Sequence, residues 1–198
     1  MNEEKWTENI IIADGDYVDE VVFDLTVNFE RMIGRRIPKA DMARWVECVA
    51  LDGGLREGDQ ETGIVLIHDP QNGCMKNFEP GDYAKELNSQ AFRSHLGEFS
   101  FTAITTEQMA SKESLLTDTL QIVAGRKEVK RIMVVAPDHI YNKVREALKD
   151  ADEEKHITLF TMQPKTGGGI GHELLGYSLL AALGIHSEEI QEKMRDEK

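Results

Sequence analysis

Aspartates stand where short apolar runs of this chain end: Asp14 and Asp16 after residues 9–13, Asp69 after 64–68, and Asp138 after 131–136. Apolar runs of that length, bounded by turn residues, read as buried strands. In an open parallel sheet the carboxyl ends of the strands face the crevice where ligands bind. Carboxylates gathered on one rim repel one another unless a cation, a proton or backbone N–H donors offset the charge. Hard oxygen donors of this kind suit Mg²⁺ or Mn²⁺, which keep several waters and bind through one or two carboxylates. Asp14, Asp16 and Asp138 are therefore the candidate catalytic carboxylates, and Gly15 lets the backbone turn between the first two. Helix capping uses the same residue type at the same place, and it stands as the alternative for each of them.

A second motif carries phosphate chemistry. Lys165-Thr166-Gly167-Gly168-Gly169-Ile170-Gly171 follows an expected strand and precedes an apolar segment. A glycine-rich turn opening a helix can cradle an anion on its backbone N–H groups, so Thr166, Gly167, Gly168, Gly169 and Gly171 are candidate binding residues. The spacing is neither that of a P-loop nor that of the dinucleotide fingerprint, which belongs after the first strand. Close packing of a buried helix on the sheet is the competing explanation for these glycines. His172 and Glu173 at the end of the motif are further candidates for a ligand or an acid–base group.

Other chemistries are excluded by absence of pattern. Cys48 and Cys74 have no nearby histidine partner, no Gly-x-Ser-x-Gly elbow exists, and the six histidines lack zinc-ligand spacing. Two cysteines in 198 residues read as free thiols. No apolar run approaches the roughly 20 residues that span a bilayer, and the polar start has no signal-peptide pattern. These features lead us to expect a cytoplasmic protein without a membrane partner. A formal net charge of −13 repels a phosphate backbone at long range, which argues against duplex DNA. Two basic patches, Arg31/Arg35/Arg36/Lys39/Arg44 and Arg126/Lys127/Lys130/Arg131, fit helix C-termini, where cations complement the macrodipole.

The elements that must position these residues alternate along the chain. A strand at 9–13 leads into a helix with Val18, Val21, Val22, Leu25, Phe29, Met32 and Ile33 on one stripe, ended by Gly34. A second helix carries Met42, Trp45, Val46 and Val49 and stops at Gly53-Gly54. Strands are expected at 63–68, 98–104, 131–136 and 156–162, with residues 81–95 ambiguous and leaning to helix. Helices are expected around Leu115–Val123 positions closed by Gly125, after Pro137-Asp138, over 174–183 and over 187–198. One domain follows: a three-layer α/β/α Rossmann-like sandwich with a mainly parallel, roughly five-stranded sheet. Residues 9–162 form the sheet unit, and 163–198 add the glycine-rich loop and terminal helices.

The order of these pieces resembles the NYN branch of the PIN-like nucleases. IIIADGD at residues 10–16 matches the aspartate-rich turn that ends the family's first strand. VVAPDHIY at 134–141 matches its later Ser-Gly-Asp-x-Asp-Phe turn in Asp138 and Tyr141, with Ile140 in place of the second aspartate. Glu113 and Asp118 fall where the family carries acidic residues on the preceding helix. The resemblance implies one or two Mg²⁺ or Mn²⁺ ions held by Asp14 and Asp138, with Asp16 and Asp118 in support, and water activated for RNA cleavage. The chain is also similar to uncharacterised bacterial domain families that carry no assigned activity.

Two functions are thus in view. One is a divalent-metal-dependent phosphodiesterase acting on RNA or a phosphorylated small molecule, with the glycine loop or Arg36 holding phosphate. The other is a non-catalytic nucleotide- or anion-binding or protein-interaction module on the same scaffold. The apolar helix at 174–183 adds a homodimer interface as a further expectation.

Overall fold

The computed structural model describes residues 5–106 and 110–196. The first four residues of the polar start, and the last two of the helix expected over 187–198, lie outside them. The chain runs β1 (Asn9–Asp14), α1 (Gly15–Ile33), β2 (Ala40–Asp41), α2 (Met42–Asp52), β3 (Gln60–His68) and β4 (Phe78–Glu79). It continues with β5 (Ala91–Ser94), β6 (Gly97–Thr105), α3 (Lys112–Ala124), β7 (Arg131–Val135) and α4 (Tyr141–Ala147). The last elements are β8 (His156–Thr161), β9 (Gly171–Leu174), α5 (Leu175–Ala182) and α6 (Ser187–Asp196).

Seven strands form one sheet in the order β5-β6-β3-β1-β7-β8-β9, and only β5 runs antiparallel to its neighbour. The chain builds outward from β1 through β3 to β6, then returns to place β7 on the other side of β1. That reversal makes the carboxyl ends of β1 and β7 the switch point of the sheet.

Alternation along each strand divides the core. Ile11, Ala13, Ile64, Leu66, Met133 and Val135 face α1, α2 and α5, whereas Ile10, Ile12, Val65, Ile67, Ile132 and Val134 face α3 and α4. Central strands buried on both faces read as continuous apolar runs, which is why NIIIA, GIVLIH and RIMVV signal strands without alternation.

The three-layer, mainly parallel sandwich is as expected, but the sheet has seven strands in place of five. Both additions are four-residue edge strands. β5 lies in the segment that Ala84, Leu87 and Ala91 made look helical; that segment holds a single π turn, Tyr83–Leu87, before the strand. β9 lies inside the glycine-rich run, with half-exposed GHEL as its sequence. Edge strands have one pairing partner and fewer buried side chains, so their pattern is weak.

The apolar helix expected over 174–183 turns one face into the core of its own chain. α5 buries Leu175, Ser178, Leu179 and Ala182 and packs against α2 and β8. α6 is tied on by Arg35, whose guanidinium donates to Glu189 at 2.7 and 3.0 Å and to the Gly184 carbonyl at 3.1 Å. Arg35 is therefore a clasp between elements and not a solvated macrodipole charge. No helix of the described residues is long and apolar enough to cross a membrane.

Candidate functional site: an aspartate pair bridged by a lysine

Asp14 is the last residue of β1 and the N-cap of α1, its Oδ1 accepting from the Tyr17 N–H at 3.0 Å. No loop separates strand from helix, so Gly15 opens the helix directly. It has no Cβ because the Tyr83 side chain packs against that spot. Ile10, Ile12 and Asp14 share one parity, and the side chain of Asp14 therefore points to the α3 face of the sheet. There it meets Lys112, the first residue of α3. The Lys112 ammonium stands 2.9 Å from Asp14 Oδ1 and 3.1 Å from Asp16 Oδ2.

Asp16 is saturated by protein donors. Its Oδ1 accepts from Asn72 Nδ2 at 2.5 Å and from the Tyr83 hydroxyl at 3.2 Å. Its Oδ2 accepts from the Asp69 N–H at 2.7 Å and from Lys112. Tyr83 in turn stacks on His68, with ring centroids 3.9 Å apart. Asp69 itself closes a turn, accepting from the Gln71 N–H. The loop after β3 is thus fastened to the start of α1.

Asp138 sits in a short 3-10 turn after β7 and caps no helix by its side chain. Its two oxygens accept from the Met162 and Gln163 N–H groups at 3.1 and 3.0 Å, which latches the chain leaving β8 to the chain leaving β7. Glu113, next to Lys112, holds His139 and Lys143 at 2.8 Å each.

The electrostatics follow from these contacts. Burial raises the Asp14 carboxyl above its ordinary value, against the pull of Lys112 and the Tyr17 N–H. Asp16 is lowered in spite of the burial that opposes it, chiefly by the Asp69 N–H and Lys112. The two carboxylates hold the Lys112 ammonium charged, raising it in spite of desolvation. Tyr17 beside them is pushed up to about 12 by burial and by the carboxylates around it.

Asp14, Asp16 and Asp138 do line one cleft of about 610 Å³ at the switch point, together with Glu20, Asp24 and Lys112. Asp118 does not. It is exposed on α3, two turns below the rim. The glycine motif is elsewhere too. Between it and α5 lies β9, so the glycines open a strand and no helix N-terminus stands over them. Gly168 and Gly169 line a separate cleft beside α4.

The divalent ion that the nuclease resemblance implies has no fitting donor set here. Such an ion needs carboxylate oxygens left free to coordinate. The ammonium of Lys112 stands between Asp14 and Asp16, N–H and O–H donors cover Asp16, and backbone amides engage both oxygens of Asp138. Among the described residues no three His, Cys, Asp or Glu side chains converge as a metal site.

Lys112 is the residue the motif reading missed. A signal existed: a lysine in the first turn of a helix opposes the macrodipole, which favours anions there. Asn72, Tyr83 and the Asp69 amide carried no such signal, since only folding brings them to Asp16.

A family model described as a family of unknown function (DUF6621) matches residues 3–190. The chain belongs to this family. No curated protein and no solved structure matches it. The DUF6621 match covers the whole sheet, the lysine-bridged pair and the glycine motif, so all three belong to the family's extent.

Proposed function

We propose that this DUF6621 protein is a non-catalytic binding module on a PIN-like, Rossmann-like scaffold, and that its aspartate rim has become structural. The observation that carries this reading is the Lys112 ammonium bridging Asp14 and Asp16 at 2.9 and 3.1 Å. A lysine there supplies the positive charge that a divalent ion would supply. It cannot polarise a phosphoryl oxygen as a Lewis acid or lower the pKa of a bound water. The remaining carboxylates of the cleft, Glu20 and Asp24 among them, repel a phosphodiester approaching without a metal.

The PIN-like origin is supported by the aspartate ending β1, the aspartate following β7 and the acidic residue at the head of α3, all on one rim. What has changed on this reading is the use of the rim. It now fastens α1, the β3 loop and α3 together.

Calorimetric titration with Mg²⁺ and Mn²⁺, paired with a cleavage assay on single-stranded RNA, tests the proposal. No saturable binding at millimolar metal and no cleavage are expected. Metal binding that disappears in Asp14→Asn/Asp138→Asn, accompanied by metal-dependent cleavage in the wild type, would overturn it in favour of the phosphodiesterase.

A further inference from the structure

The binding-module reading leaves open what is bound, and a second cluster at the far edge of the sheet answers that. His172 of β9 pairs in register with Leu159 of β8, so its side chain lies on the α4 face. There its Nε2 is 2.7 Å from the Tyr141 hydroxyl. The same tyrosine ring has the Arg145 guanidinium 5.9 Å from its centroid and the Lys165 ammonium 5.4 Å from it. Three basic side chains from α4, β9 and the loop between β8 and β9 thus share one phenol.

The cluster is unusual for this chain. Acidic residues outnumber Lys and Arg by 36 to 23, so a carboxylate partner is easily found. Yet among the described residues neither Arg145 nor Lys165 has a carboxylate within ion-pair distance. The adjacent Glu146 is engaged by Lys149 instead. Cation–π contact with Tyr141 compensates such charges only weakly compared with a carboxylate.

The glycine motif completes the arrangement. Gly167, Gly168 and Gly169 all have positive φ (100, 79 and 68°), and a Cβ at Gly168 would collide with Arg145 Nη2. The guanidinium therefore lies against the loop backbone. Among the described residues the N–H groups of these three glycines donate to no protein acceptor. Free amide donors, an unpaired guanidinium fork and an unpaired ammonium are the donor set that phosphate oxygens take.

We infer that Arg145, Lys165, His172 and the Gly167–Gly168–Gly169 backbone form a binding site for a phosphate group of a small molecule. This rests on the binding-module reading and gives that module its ligand. The phosphate sits at the β8–β9 edge beside α4, and not at the aspartate rim.

Inorganic phosphate and ADP, each titrated by calorimetry into the full chain in the presence of EDTA, test the inference. Saturable millimolar or tighter binding is expected, weakened roughly tenfold or more by Arg145→Ala and by Lys165→Ala, as the loss of a charged hydrogen bond implies. Gly168→Ala should weaken it by displacing Arg145, whereas Asp24→Asn at the distant rim should leave it unchanged. The His172 ring resonances should shift on titration in the wild type. ADP binding tighter than phosphate identifies a nucleotide source; equal affinities identify a free phosphate headgroup. Absence of binding by both probes, or binding indifferent to both Arg145→Ala and Lys165→Ala, overturns the site and leaves the structural role of Lys112 intact. A parallel titration with Mg²⁺ in place of EDTA separates the two readings: binding seen only there, and lost in Asp14→Asn, overturns the module reading itself.

Discussion

Replacing Lys112 by methionine keeps the apolar stem of the side chain and removes its charged end. Asp14, only 4% exposed, then loses its ion pair and faces Asp16 with nothing between them. Removing one partner of a fully buried pair costs about 3–5 kcal/mol, because the other charge stays behind. Lys112 keeps a quarter of its side chain in solvent, and Tyr17, Asp69 and Asn72 still donate to the two carboxylates. Those contacts bring the expected loss to about 2 kcal/mol. For a chain of this length that is a fall in melting temperature of about 4–8 °C.

The pH dependence gives the sharper test. Burial already places the folded-state Asp14 carboxyl above its ordinary 3.8. A carboxyl raised in this way favours folding when protonated, and that contribution is lost as pH rises through the folded value. Without the ammonium the folded value climbs further. The variant is therefore penalised most at neutral pH and recovers part of the loss as acid protonates Asp14, before the unfolded chain titrates. Asp16 runs the other way: its lowered carboxyl contributes above 3.8 and loses that contribution as pH falls. Thermal melts of wild type and Lys112→Met at neutral pH and at about pH 5 measure the difference. The double variant Asp14→Asn/Lys112→Met should regain stability over the single. An unchanged melting temperature, or a deficit equal at both pH values, refutes the idea that Lys112 neutralises this pair.

Four further outcomes are expected. Asp138→Ala should expose the Met162 amide to rapid hydrogen exchange and cost about 1 kcal/mol in urea melts, since it removes the acceptor of a part-buried donor while water replaces it at the exposed Gln163 amide. Arg35→Ala should release α6, seen as lost amide protection over Ser187–Asp196 with the sheet unaffected. In the wild type the same protection should fade as pH falls from 4.5 toward about 2, because Arg35 lowers the Glu189 carboxyl to that value and a lowered carboxyl loses its contribution on protonation. Leu179→Ala, at a fully buried position of α5, should cost about 2–5 kcal/mol while leaving the sedimentation behaviour of the folded protein unchanged, as befits a core residue and not a dimer contact.

The central strands and the five longer helices were legible because each depends on local pattern. NIIIA, GIVLIH and RIMVV are apolar throughout, and the α1 and α2 stripes keep helical spacing over two turns or more. Gly34, Gly53 and Gly125 mark the helix ends. Edge strands β5 and β9 were not legible, since four half-exposed residues carry too little alternation to outweigh their neighbours. The rim was legible in part. Strand parity fixed the side of Asp14, and strand-end position brought Asp138 to the same crevice.

Charges in a sequence thus announced where a site would form, and the chain alone determined that three aspartates meet at one rim of a parallel sheet. What neutralises them was decided only in three dimensions. Lys112 lies 96 residues from Asp16, Asn72 lies 56 away and Tyr83 67 away. The same carboxylates would suit a metal, a cap or an ion pair, because their own chemistry is common to all three. The strand order that lays β7 beside β1 and swings the head of α3 over β1 delivers an ammonium to Asp14 and Asp16, and Coulomb attraction over about 3 Å in a partly buried cleft pairs it with both while Asp14 also caps α1.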